Sequence, residues 1–111
     1  MVDVYSAYKV LAKTADGGLV SAFDGSDYKI GIWRSEAARP GHGGGFYCYL
    51  DANDAIAATR RGTTFHASVS DGKSLVLCSV KVAGNCVEYD DDKLAMSRLR
   101  VLKELQAVEI G

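Results

Sequence analysis

Several stretches of the chain alternate apolar and polar positions with the period of a β-strand. From Tyr5 to Lys13, Tyr8, Val10 and Ala12 share one face and Ala7, Lys9, Leu11 and Lys13 the other, which predicts a strand with one buried face. Tyr28 to Trp33 sets Tyr28, Ile30 and Ile32 together. Ser74 to Val82 is the strongest strand pattern in the chain. Leu19 to Phe23 reads as a strand returning from the Asp16-Gly17-Gly18 turn, and Phe65 to Val69 as a further strand. From Ser97 to about Lys103, Leu99 and Val101 oppose Arg98 and Arg100. Met96, Leu99, Leu102 and Leu105 also fit helical spacing there, and the strand is preferred because sheet dominates elsewhere.

Gly84-Asn85 reads as a two-residue hairpin turn that sets Val82 against Val87, Val80 against Tyr89 and Lys81 against Glu88. In that register Cys78 and Cys86 lie on opposite faces and do not bridge. Asp90-Asp91-Asp92-Lys93 follows as a solvated turn.

One helix is predicted, from about Asp51 to Arg61. Asp51 or Asn53 supplies the N-cap, and Asp54 sits where the helix dipole favours an anion. Arg60 and Arg61 occupy the last turn, with Gly62 just beyond it. Ala52, Ala55, Ile56 and Thr59 form its apolar stripe, small enough to lie close on a sheet. Together the patterns predict a single α+β domain over residues 1–111, mostly antiparallel β-sheet with one or two short helices.

Composition narrows the class. With 111 residues, 48% of them apolar and 24% charged, the chain can bury one core without staples. A net charge of −1 gives no global field for a nucleic-acid polymer or an anionic membrane. No apolar run approaches the ~18 residues of a membrane span, and no signal-peptide pattern opens the chain, so a cytoplasmic location is expected. Cys48, Cys78 and Cys86 are an odd count without paired CxxC spacing and read as buried reduced thiols rather than metal ligands or a disulfide framework.

Candidate chemistry gathers around Gly41-His42-Gly43-Gly44-Gly45 and the aromatic strand Phe46-Tyr47-Cys48-Tyr49 behind it. The glycines are either a flexible connection or a cradle whose amides are open to an anion. His42 is either a solvated side chain, a polar ligand contact or an acid/base. Tyr47 and Tyr49 share one face of their strand, with Phe46 and Cys48 on the other; the tyrosines either pack or stack on a base or ribose. Arg34 and Arg39 flank the loop, Arg60 and Arg61 end the helix, and Arg98 and Arg100 line one strand face; each is either a solvated surface side chain or, in a cluster of two or three, a guanidinium fork suited to phosphates. No nucleophile elbow, HExxH or Walker sequence occurs, so no catalytic set, metal site or cofactor is implied.

Gly43-Gly44-Gly45-Phe46-Tyr47-Cys48-Tyr49-Leu50-Asp51-Ala52-Asn53-Asp54-Ala55, followed by the apolar run Leu75 to Ala83 ending in Gly84-Asn85, resembles part of the ADP-ribosyltransferase fold. In its poly(ADP-ribose) polymerase branch, a Gly-x-Gly-Ile/Phe-Tyr-Phe strand precedes a helix. This chain departs from that family in having no histidine in its first strand and no assignable catalytic glutamate. The resemblance therefore implies a cut-down relative that binds an ADP-ribose-like ligand without transferring it. Tyr8-Lys9-Val10 and Arg100-Val101-Leu102-Lys103-Glu104-Leu105 are similar to segments of small phage and bacterial domains. In build these include anti-defence sponges that sequester cyclic ADP-ribose signals of the Thoeris system.

The functional expectation is a non-enzymatic binder of a small anionic nucleotide, with Arg39, His42, Tyr47, Arg98 and Arg100 as ligand residues. The alternatives are a compact NAD-using transferase and a self-assembly module without ligand. Self-association into a homo-oligomer is expected in each case, because Phe46, Leu77 and Leu11 suggest a second apolar face.

Overall fold

The two longest strands, β6 (Ser74–Glu88) and β7 (Lys93–Val108), form a bent antiparallel hairpin that carries most of the structure. The structure, a computed structural model, describes residues 3–41 and 43–110. Strand β1 (Val4–Lys13) pairs along its whole length with β6. Four short strands complete the sheet: β2 (Leu19–Val20), β3 (Asp27–Tyr28), β4 (Trp33–Ser35) and β5 (Phe46–Tyr49). All the pairings are antiparallel, and β2 extends β1, β3 extends β2, and β4 lies on the outer edge of β7. Helices α1 (Ala52–Arg61) and α2 (Thr63–Ser70) fill the connection from β5 to β6. The class is α+β, mostly antiparallel sheet with two helices among the described residues. None of the described helices is long and apolar enough to cross a membrane.

The pairings run in a ring. β1 pairs with β6, β6 with β7, β7 with β5, and β5 returns to β1. That last seam is made by one residue pair, Tyr8 with Tyr49. Inside the ring lies a core that includes Ala7, Leu11, Phe46, Cys48, Cys78, Val80, Val82, Met96, Leu99 and Val101. A second core, with Val10, Ala12, Tyr49, Leu75, Leu77 and Val108 from the strands, packs against Ala55 and Ala58 of α1 and Phe65 of α2. Strand β1 thus buries residues on both faces, not one, because the ring closes over one side and the helices cover the other.

The same closure corrects the argument for self-association. Leu11 and Phe46 belong to the inner core and Leu77 to the outer one, each at most 3% exposed, so they do not form an open apolar face.

Helix α1 forms as its sequence dictates. The Asp51 carboxylate accepts the Asn53 amide at 2.7 Å, and the Gly62 amide closes the last turn on Ala58 O. Ala55 and Thr59 of the predicted stripe are buried, with Ala58 beside them.

Four local expectations are overturned. The hairpin does not turn at Gly84-Asn85: β6 runs on to Glu88, and the turn falls at Tyr89–Asp92, where the Tyr89 amide bonds Lys93 O at 2.9 Å. Val82 therefore faces Leu99, Val80 faces Val101, and Val87 faces Ala95. The apolar matches of the short hairpin are real, but the longer register offers equally apolar partners along far more strand. Gly84-Asn85 becomes a bulge, where the ladder slips between Ala83 and Cys86. Phe65–Val69 is helix, its Phe65 packed on the outer core and its Ser68 hydroxyl donating to Ala22 O at 3.3 Å. Tyr28 to Trp33 is broken by a turn closed from Ile32 N–H to Lys29 O, which leaves Ile30 and Ile32 exposed. The strand after Leu19 stops at Val20, because the Ser21 amide turns to Ser26 O and lifts Phe23 into solvent.

Candidate functional site

The weak seam between β1 and β5 opens into a cavity. Beyond the Tyr8–Tyr49 pair the two strands part, and β1 goes on to pair with β2 from Ala12. The space between them, about 350 Å³, is lined by Lys9 and Val10 of β1 and by Tyr47 and Tyr49 of β5. α1 and α2 roof it, with Ala55, Arg61 and Phe65 among the lining side chains. Phe23, 80% exposed, stands at its rim with Ser21 and Ala22. The volume falls in the range of small-molecule sites.

Lys9 is the central polar group. Its side chain spans the seam, and Nζ donates to the Tyr47 carbonyl oxygen at 2.6 Å. This bond satisfies a backbone acceptor where strand pairing has ceased. The described ion pairs are Lys13–Glu104 at 2.9 Å and Arg61–Asp91 at 4.0 Å, and Lys9 takes part in neither. Burial lowers its pKa to about 8; Arg34 adds to the fall, while Cys48, Asp24 and Glu36 oppose it.

Two further cations face the cavity. Lys93 Nζ lies 4.6 Å from the Tyr47 ring centroid and 5.2 Å from that of Tyr89. The two tyrosine rings meet edge to face, their centroids 6.0 Å apart. Arg61 leaves the last turn of α1 near Asp91, and Tyr49 is buried beside them. Burial drives the Tyr49 phenol up to about 12, with Asp91 reinforcing the rise and Arg61 opposing it. Tyr47 is also raised, by burial first and then by Tyr89. Both phenols are thus neutral donors at physiological pH. Among the described residues the cavity walls carry three cations, Lys9, Arg61 and Lys93, against the carboxylate of Asp91.

Of the residues expected at the site, Tyr47 lines this cavity. Arg98 and Arg100 are elsewhere: they flank the Trp33 ring at 4.7 and 5.2 Å from its centroid, on the β4 edge of the sheet. Arg100 Nε is buried there with no hydrogen-bond partner. Arg39 is exposed, its carbonyl accepting from the Gly43 amide at 3.2 Å and the Tyr89 hydroxyl at 3.5 Å. His42 lies outside the described residues.

The glycine loop is explained by packing. Gly44 and Gly45 have φ of 132° and 95°, and a Cβ on them would stand 2.5 Å from Ala37 O and 2.9 Å from Ala38 Cβ. The Gly45 amide is not open to an external anion, since it donates to the Glu36 carboxylate at 3.0 Å.

Sequence reasoning missed Lys9, Arg61 and Lys93 as a group. The legible signal was Lys9 itself, a lysine between Ala7 and Leu11 on what proves to be an inward strand face. Arg61 read as a helix-dipole partner and one of several arginines suited to phosphates, and Lys93 as a turn residue; only the fold brings them to one cavity. Compared with protein-family models, with curated proteins and with solved structures, the chain matches none.

Proposed function

We propose that this protein binds a small anionic nucleotide, of the ADP-ribose or cyclic-nucleotide class, in the cavity at the β1–β5 seam. The observation that supports the reading is the combination in one cavity of Lys9, Arg61 and Lys93 with the rings of Tyr47 and Tyr49. Cations compensate phosphate charge, and tyrosine faces accept a base or ribose. The ligand set carried forward is Tyr47 with those three cations. Among the described residues the carboxylate lining the cavity is that of Asp91, which neighbours Arg61, so the pocket favours binding over group transfer. The sponge-like role and the kinship with ADP-ribosyltransferases belong to this proposal.

Calorimetry against ADP-ribose, its cyclic isomers and cyclic oligonucleotides tests it. Saturable heat with at least one of them is expected, weakened about tenfold in Lys93→Ala or Arg61→Ala and unchanged in Arg98→Ala. No heat with any ligand, or equal loss in all three variants, overturns the assignment to this cavity. Incubation with labelled NAD separates the transferase alternative, which requires NAD consumption or a modified acceptor.

A further inference from the structure

Binding alone does not explain the setting of Lys9. No described carboxylate lies within ion-pair distance of its nitrogen, so a charge held in the seam is not compensated by an ion pair. Among the described residues its nitrogen makes a single hydrogen bond, to Tyr47 O, and its side chain lines the cavity. We propose that Lys9 is a carbonyl-condensing amine, which forms an imine with the aldehyde or ketone of a small phosphorylated ligand held by Lys93 and Arg61. The inference shares the cavity with the nucleotide reading but does not depend on a nucleotide.

The step balances without an oxidant or a second reactant. The Nζ lone pair attacks the carbonyl carbon and the C=O π pair moves to oxygen, giving a carbinolamine. The oxygen then leaves as water with the two amine hydrogens, and C=N replaces C=O. The step needs the unprotonated amine, and burial of Lys9, which brings its pKa down to about 8, leaves a fraction of it in that form near neutral pH. Burial of the seam and, less strongly, Arg34 act in that direction on Lys9, against Cys48, Asp24 and Glu36. Lys93 and Arg61 share the cavity with Lys9, so a phosphate bound to them is held in the same space as the nucleophile. ADP-ribose, whose terminal ribose opens to an aldehyde, is the nucleotide that would satisfy both proposals.

The experiment uses the wild-type chain, pyridoxal 5′-phosphate as a phosphorylated aldehyde, and cyanoborohydride to reduce any imine to a stable amine. Peptide mapping then reads which of the lysines carries the adduct. Labelling of Lys9 on the order of tenfold faster than of exposed Lys29 or Lys103 is expected. Pyridoxal without its phosphate should label Lys9 several-fold more slowly, as should the phosphate form with Lys93→Ala. Labelling spread evenly over the exposed lysines, with Lys9 no faster, overturns the proposal. So does equal labelling of Lys9 by both aldehydes. The wild-type map requires no Lys9 variant to fold. Calorimetry without heat alongside selective Lys9 trapping would remove the nucleotide reading and leave this one standing.

Discussion

Ser97 occupies the space that a side chain at Gly84 would need. The Ser97 hydroxyl, which accepts the Asn85 amide at 2.8 Å, stands where a Cβ on Gly84 would fall. Gly84 also has a φ of 85°, so backbone and packing both demand glycine at this bulge. Gly84→Ala should cost about 1–3 kcal/mol in denaturant unfolding. Adding Ser97→Gly should recover part of that loss, as a double-mutant cycle would show. A neutral Gly84→Ala would mean that β6 turns or slips differently from the observed register.

The Lys9 ammonium gives stability a pH dependence of definite sign. Its folded pKa of about 8 lies below the ordinary value of 10.5, so the folded chain releases this proton before the unfolded chain does. The cost of holding the charge in the seam is therefore complete below pH 8 and disappears as pH rises toward 10.5. Tyrosines and cysteines titrate in the same range, so the comparison is with Lys9→Met. Between about pH 7 and pH 10 wild type should gain roughly 2 kcal/mol relative to that variant. A difference that stays constant across the range would show Lys9 to be ordinary.

The three thiols should separate by reactivity. Cys48 and Cys78 lie in the inner core, and burial pushes them up to about 11 and about 12. Cys86, expected to be buried like the other two, is instead exposed where β6 bulges out of its ladder, and its pKa is raised by partial burial and then by Glu88. A thiol reagent should modify Cys86 in the native protein and reach the other two only on unfolding. Because the buried pair hold their protons above the unfolded value, their stabilising contribution should fade as pH climbs from about 9 through 11. Three equally fast thiols would contradict the closed ring.

Asp51 is the N-cap of α1, and α1 roofs the cavity. Asp51→Ala should lower stability by about 1 kcal/mol, and Asp51→Asn by less. Chemical denaturation with far-ultraviolet circular dichroism would measure both. An effect on Asp51→Ala as small as that of an exposed surface substitution would place the helix start elsewhere.

The sequence made the elements legible where periodicity or capping was strong. The β1, β6 and β7 strands, the α1 helix and the opposed faces of β5 could all be read from residues alone. The bulge at Gly84 could not, because Val82 with Val87 is as good a local pair as Val82 with Leu99. Choosing between them takes the whole length of β7. Phe65–Val69 failed for a related reason: a short mixed segment alternates by accident, and the outer core that recruits Phe65 is assembled from distant strands. Of the candidate site, Tyr47 was visible as an aromatic strand residue. Lys9, Arg61 and Lys93 are separated by up to most of the chain, and only the fold brings them to the lining of one cavity.

The single-pair seam also ties the cavity to the closure of the ring. Lys9 is a strut between two strands that are otherwise joined at that edge by Tyr8 and Tyr49. Any guest that engages the Lys9 nitrogen competes with Tyr47 O for the same hydrogen-bonding group. Loading the cavity and loosening the ring are thus one event seen from two sides. A guest that draws Lys9 away from Tyr47 should speed backbone amide exchange along β5 while leaving the β6–β7 ladder protected.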